Sequence, residues 1–429
     1  MKYNKWTVAL AALGVVSFAS AAKAEEKASP VMTALSSTTI SGYVDTSAEW
    51  NVGKGNDNFS PYKFNSMNKA DGFNLDVIQL RIDKPLDEQD WAAGYRADLW
   101  FGPDASALRT SSGGINSSSS DFAIRQAYVA LRVPVAKGLD LKMGAFDSII
   151  GYESIEAGNN PNFTRSYGHS IEPQTETGLL ASYRFCDCFS VSAGVADTVG
   201  PAINDRAFAP FGMAAYGSQT YPESFKTWMG SVALTAPDSM GFLSGSTLYG
   251  GIVNGFGTGN QNNVVAGFPM NGVYGNTMTS YYVGATVATP VTGLRAGASF
   301  DFLDIHNAKN DTYSVAGYLS YQATEKLSFH ARGEYFKDKG WLVNGTDGVG
   351  DTVSTYNGAL FDNVGDKGKA EVLAVTATVQ YDLWKNVISR LELRWDHSLL
   401  GNQLFGGTTQ GDPGLKNAFM LGANVIYKF

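Results

Sequence analysis

An all-β fold, closed into a transmembrane antiparallel barrel of about sixteen strands, is predicted from three observations on the sequence. Segments in which apolar and polar residues alternate recur along the chain, and a barrel strand needs only one apolar face. The last of these segments ends on an aromatic residue, Phe429. No run of 18 apolar residues offers a membrane helix, whereas 48 Gly, 21 Tyr and 24 Phe suit many short strands with aromatic girdles.

The first residues have the features of an export signal. Lys2 and Lys5 precede an apolar run from Val8 to Ala22, and Ala22-Lys23-Ala24 matches a small-x-small cleavage site. A chain with this signal and a barrel pattern is expected in the bacterial outer membrane. The expected divisions are a cleaved signal peptide at 1–24, a short periplasmic segment at 25–37 and the barrel at 38–429.

The sixteen candidate strands are separated by connections of two kinds. Short turns alternate with long polar loops, which is typical of a barrel with periplasmic turns and extracellular loops. A secreted sandwich or propeller would show the same period of two, but it would need neither the terminal aromatic residue nor the girdle-like aromatics at strand ends. The segments are Thr38–Asn51, Phe73–Leu86, Trp91–Phe101, Phe122–Val135, Leu139–Phe146, Thr177–Phe185, Phe189–Asp197, Phe225–Thr235, Ser246–Val253, Thr279–Thr289, Leu294–Phe302, Thr312–Gln322, Leu327–Phe336, Val372–Leu383, Val387–Asp396 and Ala418–Phe429.

The final strand indicates how the barrel is assembled. Val425, Tyr427 and Phe429 share one parity, whereas the polar Asn424 and Lys428 have the opposite one. The terminal Phe on the lipid side resembles the sorting signal of bacterial outer-membrane barrels. We therefore expect these three apolar residues to be recognised by the barrel-insertion machinery.

Charged residues assign the inner face, because Arg or Lys facing lipid at mid-depth costs about 2–4 kcal/mol. They alternate with apolar residues on four strands, so they are expected to face a wet lumen, wide enough in a sheet of about sixteen strands. For most of them the simpler interpretation is a structural ion pair within the wall. The residues are Arg81, Asp83, Arg96, Asp98, His330, Arg332, Glu334, Arg390, Glu392, Arg394 and Asp396.

The connection at 147–176 is expected to fold into the channel as a constriction. Its charged residues are Asp147, Glu153, Glu156, Arg165, Glu172 and Glu176. Its carboxylates are expected to face Arg81, Arg96 and Arg132 on the early strands, so that a transverse field screens solutes. Because the loop carries more acid than base, we expect a modest preference for small cations.

Several motifs in this region resemble those of the OmpL-like β-barrel porin family. They are Gln126-Ala127-Tyr128-Val129, Gly144-Ala145-Phe146-Asp147-Ser148, Gly151-Tyr152-Glu153, Asn159 to Tyr167 and Glu172 to Gly178. Gln174 and Glu176 depart from the pattern, which has an aromatic residue and a His there. The resemblance implies an outer-membrane pore and says little about the solute.

Other functions have weaker support. A formal charge of −8 disfavours nucleic-acid binding. A hydrolase would need a Ser–His pair with an orienting partner, and His169-Ser170 has no nucleophile motif around it. An adhesin or a structural barrel displaying its polar loops is the other alternative.

Neither a cofactor nor a protein-held metal ion is expected. The aspartate-rich stretch from Asp347 to Asp366 offers oxygen ligands for a Ca²⁺ ion shared with lipopolysaccharide, but it lacks the fixed spacing of a calcium loop. Cys186 and Cys188 are too few for a disulfide framework or a zinc site, and a reduced Cys-Asp-Cys turn is favoured over a bridge between them.

The sequence therefore predicts a porin that lets small hydrophilic solutes and ions diffuse passively. Its expected partners are outer-membrane lipid, lipopolysaccharide, the insertion machinery and two further copies of the chain in a homotrimer.

Overall fold

The computed structural model shows one closed antiparallel barrel. It describes residues 37–53, 60–65, 69–108, 110, 120–204, 206, 225–256, 277–305, 310–339, 369–401, 403–405 and 415–429. The export signal expected at 1–24 and the stretch from Asp347 to Asp366 lie outside them. Within the described part of the chain, no helix is long and apolar enough to cross a membrane.

Sixteen strands form the wall, each paired with its neighbours in sequence. All sixteen predicted segments coincide with an observed strand, and their ends differ by at most three residues. The strands are β1 Thr39–Asn51, β2 Gly72–Lys84, β3 Ala93–Phe101, β4 Phe122–Val133, β5 Leu139–Asp147, β6 Thr175–Cys186, β7 Phe189–Ala196, β8 Thr227–Thr235, β9 Thr247–Phe256, β10 Thr277–Ala288, β11 Leu294–Ile305, β12 Asn310–Gln322, β13 Leu327–Asp338, β14 Ala370–Trp384, β15 Val387–Ser398 and β16 Asn417–Lys428.

The barrel closes where β1 pairs with β16. Tyr43 lies opposite Lys428, and the last residue extends the pairing, because Phe429 N donates 3.0 Å to Gly42 O and Gly42 N donates 2.9 Å to Phe429 O. Closure leaves no strand with an unpaired edge, so the backbone hydrogen bonds of the wall are satisfied without water.

Apolar side chains cover the outside of the wall and charged ones the inside. On β15, Leu391 and Leu393 are 52% and 60% exposed, whereas Glu392 between them is fully buried inside the barrel. The period of two that predicted the strands therefore also separates a lipid-facing surface from an interior.

The interior is filled at one level by the connection between β5 and β6. This connection, residues 148–174, is called L3 below; it contains the 3₁₀ turn Ala157–Asn159 and helix α2, Tyr167–Ile171. A second short helix, α1 (Pro103–Leu108), follows β3 and packs on the inside of β2 to β4. The barrel interior is therefore partly packed protein.

The turn between β6 and β7 holds a disulfide. Cys186 and Cys188 are bonded to each other, with their Cα atoms 5.2 Å apart. The expectation of a reduced Cys-Asp-Cys turn is therefore wrong, because the tight turn brings the two sulfur atoms within bonding distance.

Candidate functional site

L3 is shaped first by its own polar side chains. The Asn160 amide donates 2.6 Å to Ser154 O and accepts 2.7 Å from Ser154 N, which closes the bend between these residues. Ser166 caps α2 by accepting a hydrogen bond from His169 N at 3.0 Å. The side chains of Asn160 and Ser166 thus hydrogen-bond to backbone groups of L3, in place of the backbone partners that a compact loop lacks.

One buried ion pair joins L3 to the far wall. Arg332 on β13 donates 2.8 Å from Nη1 to Glu153 Oε1 and 2.8 Å to Thr164 O. The two charged side chains are 0% and 1% exposed. A pair so completely removed from water is stable only because further hydrogen bonds satisfy the terminal nitrogens of the guanidinium, and Thr376 on β14 accepts one of them.

The Glu392 carboxylate on β15 holds the L3 backbone directly. It accepts hydrogen bonds from Phe163 N at 2.6 Å and from Thr164 N at 2.9 Å. Thr378 on β14 donates to the same carboxylate at 2.6 Å. The alternation of residues along β15 predicted that Glu392 faces the lumen, and in the structure its carboxylate binds main-chain amides of L3.

Two arginines of β15 bind L3 carbonyl oxygens. Arg390 donates 2.8 Å to Asn160 O, and Arg394 donates 2.6 Å to Arg165 O. Arg394 also pairs with Asp396 on its own strand at 2.9 Å. This strand therefore alternates positive and negative groups that match the carbonyl and amide groups of the loop.

On the early strands, a second network holds the turn of L3. Glu156 contacts Arg81 on β2, and Arg125 on β4 lies 3.3 Å away. Arg81 and Arg125 also share Asp98 on β3, at 2.7 and 2.6 Å. Burial alone would raise the pKa of Glu156, but the charges of Arg125 and Arg81 outweigh it and lower that pKa below its ordinary range.

Sequence reasoning missed Arg125, and a β-bulge explains why. The register of β3 and β4 shifts between Asp98 and Leu99, so Arg125 and its neighbour Gln126 are both buried inside. A second bulge opposite Asp45 turns both Asp76 and Val77 inward. A strict period of two assigns only one residue of each pair to the lumen, and nothing in a single sequence marks the extra residue.

The Asp76 bulge holds a buried cation. Lys69 donates 2.6 Å to Asp76 and 2.6 Å to Asp104 at the start of α1. Burial raises the pKa of Asp104 to about 6, with Lys69 opposing the shift. This triad anchors α1 to the inside of β2.

Carboxyl groups meet on the other side of L3. Glu172 lies near Asp301 on β11, and Glu334 on β13 accepts a hydrogen bond from Gly168 N at 2.9 Å. Burial, and then the charge of Asp301, raises the pKa of Glu172 well above its ordinary range. Burial, with Arg165 next, lowers the pKa of His169 well below its ordinary range. Burial and the neighbouring carboxyl group therefore both favour the protonated form of Glu172, and burial favours the neutral form of His169.

The remaining loop residues predicted for the constriction are also buried. Arg165 donates 2.9 Å to both Phe163 O and Ile155 O, so it stabilises L3 itself. Glu176 at the start of β6 is fully buried, and Gln174 donates 2.7 Å to His169 O. The two residues that depart from the family pattern therefore lie where L3 rejoins the wall.

Below L3, on the side of the chain termini, the wall is more open. Arg96 on β3 pairs with Asp83 on β2 at 2.9 Å, and its side chain stays 27% exposed. Tyr128 on β4 and Lys142 on β5 follow on the same inner surface. Arg132 is paired with Asp140 at 2.6 Å, so it does not face L3 as expected.

The C-terminal residues lie as the sequence predicts. Val425, Tyr427 and Phe429 are 44%, 50% and 49% exposed on the outer surface, whereas Asn424, of the opposite parity, is buried. The proposed sorting residues therefore form one apolar stripe on the outside of the closing strand.

The residues weighed for hydrolysis do not form a catalytic pair. The Ser170 hydroxyl donates 3.4 Å to Ser166 O and leaves the His169 ring without a nucleophile. Among the residues that the structure covers, no group of three or more His, Cys, Asp or Glu side chains could hold a metal ion.

A sixteen-strand barrel with an apolar outer face, a charged interior and a loop folded inward is the architecture of outer-membrane channels. Residues 37–429 match the model of the family described as Putative beta-barrel porin-2, OmpL-like, and the chain belongs to that family. No curated protein matches the sequence.

Solved structures support the same fold at low sequence identity. The outer membrane channel DcaP of Acinetobacter baumannii is 10% identical, with a TM-score of 0.53, covering 91% of this chain and 97% of its own. The anion-selective porin from Comamonas acidovorans is 12% identical, with a TM-score of 0.53 and coverage of 92% and 99%. OmpT of Vibrio cholerae, in a trimer form, is 13% identical, with a TM-score of 0.50 and coverage of 91% and 99%.

Proposed function

We propose that this outer-membrane porin passes small hydrophilic solutes and ions by passive diffusion through a lumen that L3 narrows. One observation carries the proposal: L3 is fixed across the interior, from Arg81 and Arg125 on the early strands to Arg332, Arg390 and Arg394 on the late ones. A loop held at both sides limits the size of the solutes that pass.

The predicted pore residues then divide into two groups. Arg332, Arg390, Glu392 and Arg394 hold L3 and are buried beneath it. The partly exposed inner side chains below L3, such as Asp83 and Arg96, are the ones that meet solute. The barrel carries no catalytic activity in this proposal, because its buried polar groups are used in fixing L3.

Export and orientation complete the proposal. Residues 1–24 are removed as a signal peptide, which the basic start and the small residues at 22–24 support. Both termini of the barrel lie at the end where the short connections are, and this end faces the periplasm. The mass of the mature N-terminus tests the cleavage after Ala24.

A homotrimer is the proposed assembly. The support is the trimer form of the V. cholerae barrel, together with the broad apolar outer surface of this one. Contacts with lipopolysaccharide, bridged by Ca²⁺ at the outer loops, are proposed on the acidic composition of residues 347–366.

Planar-bilayer recording tests the central proposal. Purified, heat-modifiable barrel should give discrete open steps in KCl, and neutral sugars of increasing size should be excluded above one size. A folded barrel that stays electrically silent would contradict the porin function and favour a display or structural role.

A further inference from the structure

Two cations on the inner wall below L3 surround one aromatic ring. Lys142 Nζ lies 5.1 Å from the centre of the Tyr128 ring, and the Arg96 guanidinium carbon lies 6.0 Å from it. Arg96 and Tyr128 are directly opposite each other on β3 and β4, and Lys142 is on β5. Both cations therefore border the same small area of wall.

The protein leaves some of the hydrogen-bond donors of Arg96 and Lys142 open. Among the described residues, Arg96 hydrogen-bonds to Asp83 through Nε alone, which leaves both terminal nitrogens of its guanidinium available. Within the described residues, no carboxylate oxygen lies within 4.0 Å of Lys142 Nζ, in contrast with Arg132, whose Nε and Nη2 both bind Asp140. Donors left open in this way can take an external acceptor.

The wall beside these cations is partly accessible. Arg96, Tyr128 and Lys142 are each only partly buried. Tyr128 lies opposite Gly144 on β5, and Gly144 lies opposite Gly178 on β6, where the backbones of neighbouring strands approach too closely for a Cβ atom. These two positions therefore place no side chain beside the Tyr128 ring, and Lys142 is one inward position from Gly144.

The loop carboxylates do not compensate this positive charge. Glu153 and Glu156 are in ion pairs, Glu172 lies near Asp301, and all three are buried within L3 and its anchors. The modest cation preference that the acidic loop predicted therefore loses its basis on this surface. The net positive charge of Arg96 and Lys142 beside Asp83 instead favours anions.

We infer that Arg96, Tyr128 and Lys142 form a binding subsite for the oxyanion group of a small solute, a carboxylate or a phosphate. The inference rests on the proposed channel function and names the class of solute that the lumen selects. The planar fork of Arg96 matches an oxyanion with two acceptor atoms, and Lys142 supplies a second charge from the neighbouring strand.

The test measures block of the KCl current by inorganic phosphate and, separately, by acetate. Both anions should reduce the current, and phosphate should do so at a lower concentration because of its higher charge. Block by phosphate alone would assign the site to phosphates. Block by acetate alone would assign it to carboxylates. Lys142→Gln and Arg96→Gln should each raise the half-blocking concentration about fivefold or more, the effect expected from losing one charged hydrogen bond in a wet site. Lys142→Arg should preserve the block.

Arg132→Gln is the matched control, because it removes the same charge from the same half of the lumen but from a residue already paired with Asp140. An equal rise in that variant would show a general positive potential and overturn the subsite, as would an unchanged block in Lys142→Gln. A silent barrel would reject the porin function instead. In that case, broadening of the phosphate ³¹P signal by detergent-solubilised wild type, and its loss in Lys142→Gln, would still decide whether the subsite exists.

Discussion

Arg332 and Glu153 are 179 residues apart in sequence, yet their side chains meet at 2.8 Å in the middle of the barrel, where water does not reach either. This contact joins L3 to the wall opposite its origin. Breaking such a pair from one side leaves a buried charge without its partner, at a cost of about 3–5 kcal/mol.

Glu153→Gln should therefore release L3 from β13. We expect a larger single-channel conductance and a higher size limit for neutral sugars, because the loop no longer narrows the lumen. Glu325→Gln, in an exposed turn of the same barrel, is the control and should leave both unchanged. A wild-type conductance in Glu153→Gln, with a normally folded barrel, would mean that this pair does not hold the loop in place.

Attachment of L3 should weaken as the pH rises through the raised pKa of Glu172. The pKa of Glu172 is raised in the docked loop, so the docked state keeps a proton that a released loop loses above its ordinary pKa of about 4.3. The stabilisation of the docked loop by Glu172 is therefore complete below the ordinary pKa of about 4.3 and is lost as the pH rises through the raised pKa. His169 has a lowered pKa when docked, so it opposes docking only as the pH falls below about 6.5.

Channel recordings between pH 6.5 and 9 separate the two groups, since a released histidine is mostly neutral there. Wild type should show more frequent transitions to larger conductance as the pH rises, and Glu172→Gln should show no such trend. If the trend persists in Glu172→Gln, the Glu172–Asp301 pair is not its source.

Arg125→Met should destabilise the barrel more than the loss of a surface charge would. The substitution leaves Asp98, Asp147 and Glu156 facing one another with Arg81 as the remaining cation nearby. A loss of about 3–5 kcal/mol is expected, measured as a lower temperature for the heat-induced change in electrophoretic mobility. Arg132→Met breaks a pair at the more exposed end of the same strand and should cost about 1 kcal/mol or less. Similar transition temperatures for the two variants would show that Arg125 stabilises the barrel no more than Arg132 does.

Phe429→Asp should reduce the yield of heat-modifiable barrel while export continues. The change keeps the backbone bonds between Phe429 and Gly42 but places a charge on the outer apolar stripe. Phe429→Tyr is the control and should assemble normally. Barrel yield in the Asp variant is measured in isolated outer membranes, and export is measured in the periplasmic fraction. An unchanged yield would contradict recognition of Phe429 by the insertion machinery.

The sequence predicted the wall better than the interior. The strand positions and the inward parity of β13 and β15 follow from a period of two, because membrane and lumen impose it on every residue of a strand. The same rule failed at Arg125 and Asp76, where a bulge adds an inward residue that alternation cannot show. It also could not show that Glu153 and Glu156 are paired and buried, since their partners lie on strands that only the closed barrel brings near.

The anchors of L3 have a consequence for the order of biogenesis. The residues that hold the loop on β13 and β15 lie about 170 to 230 positions after it in the chain, so docking depends on contacts between segments far apart in sequence. L3 can complete its anchoring only when β13 and β15 have joined the wall. We therefore expect the lumen to reach its final width only once these late strands are in place.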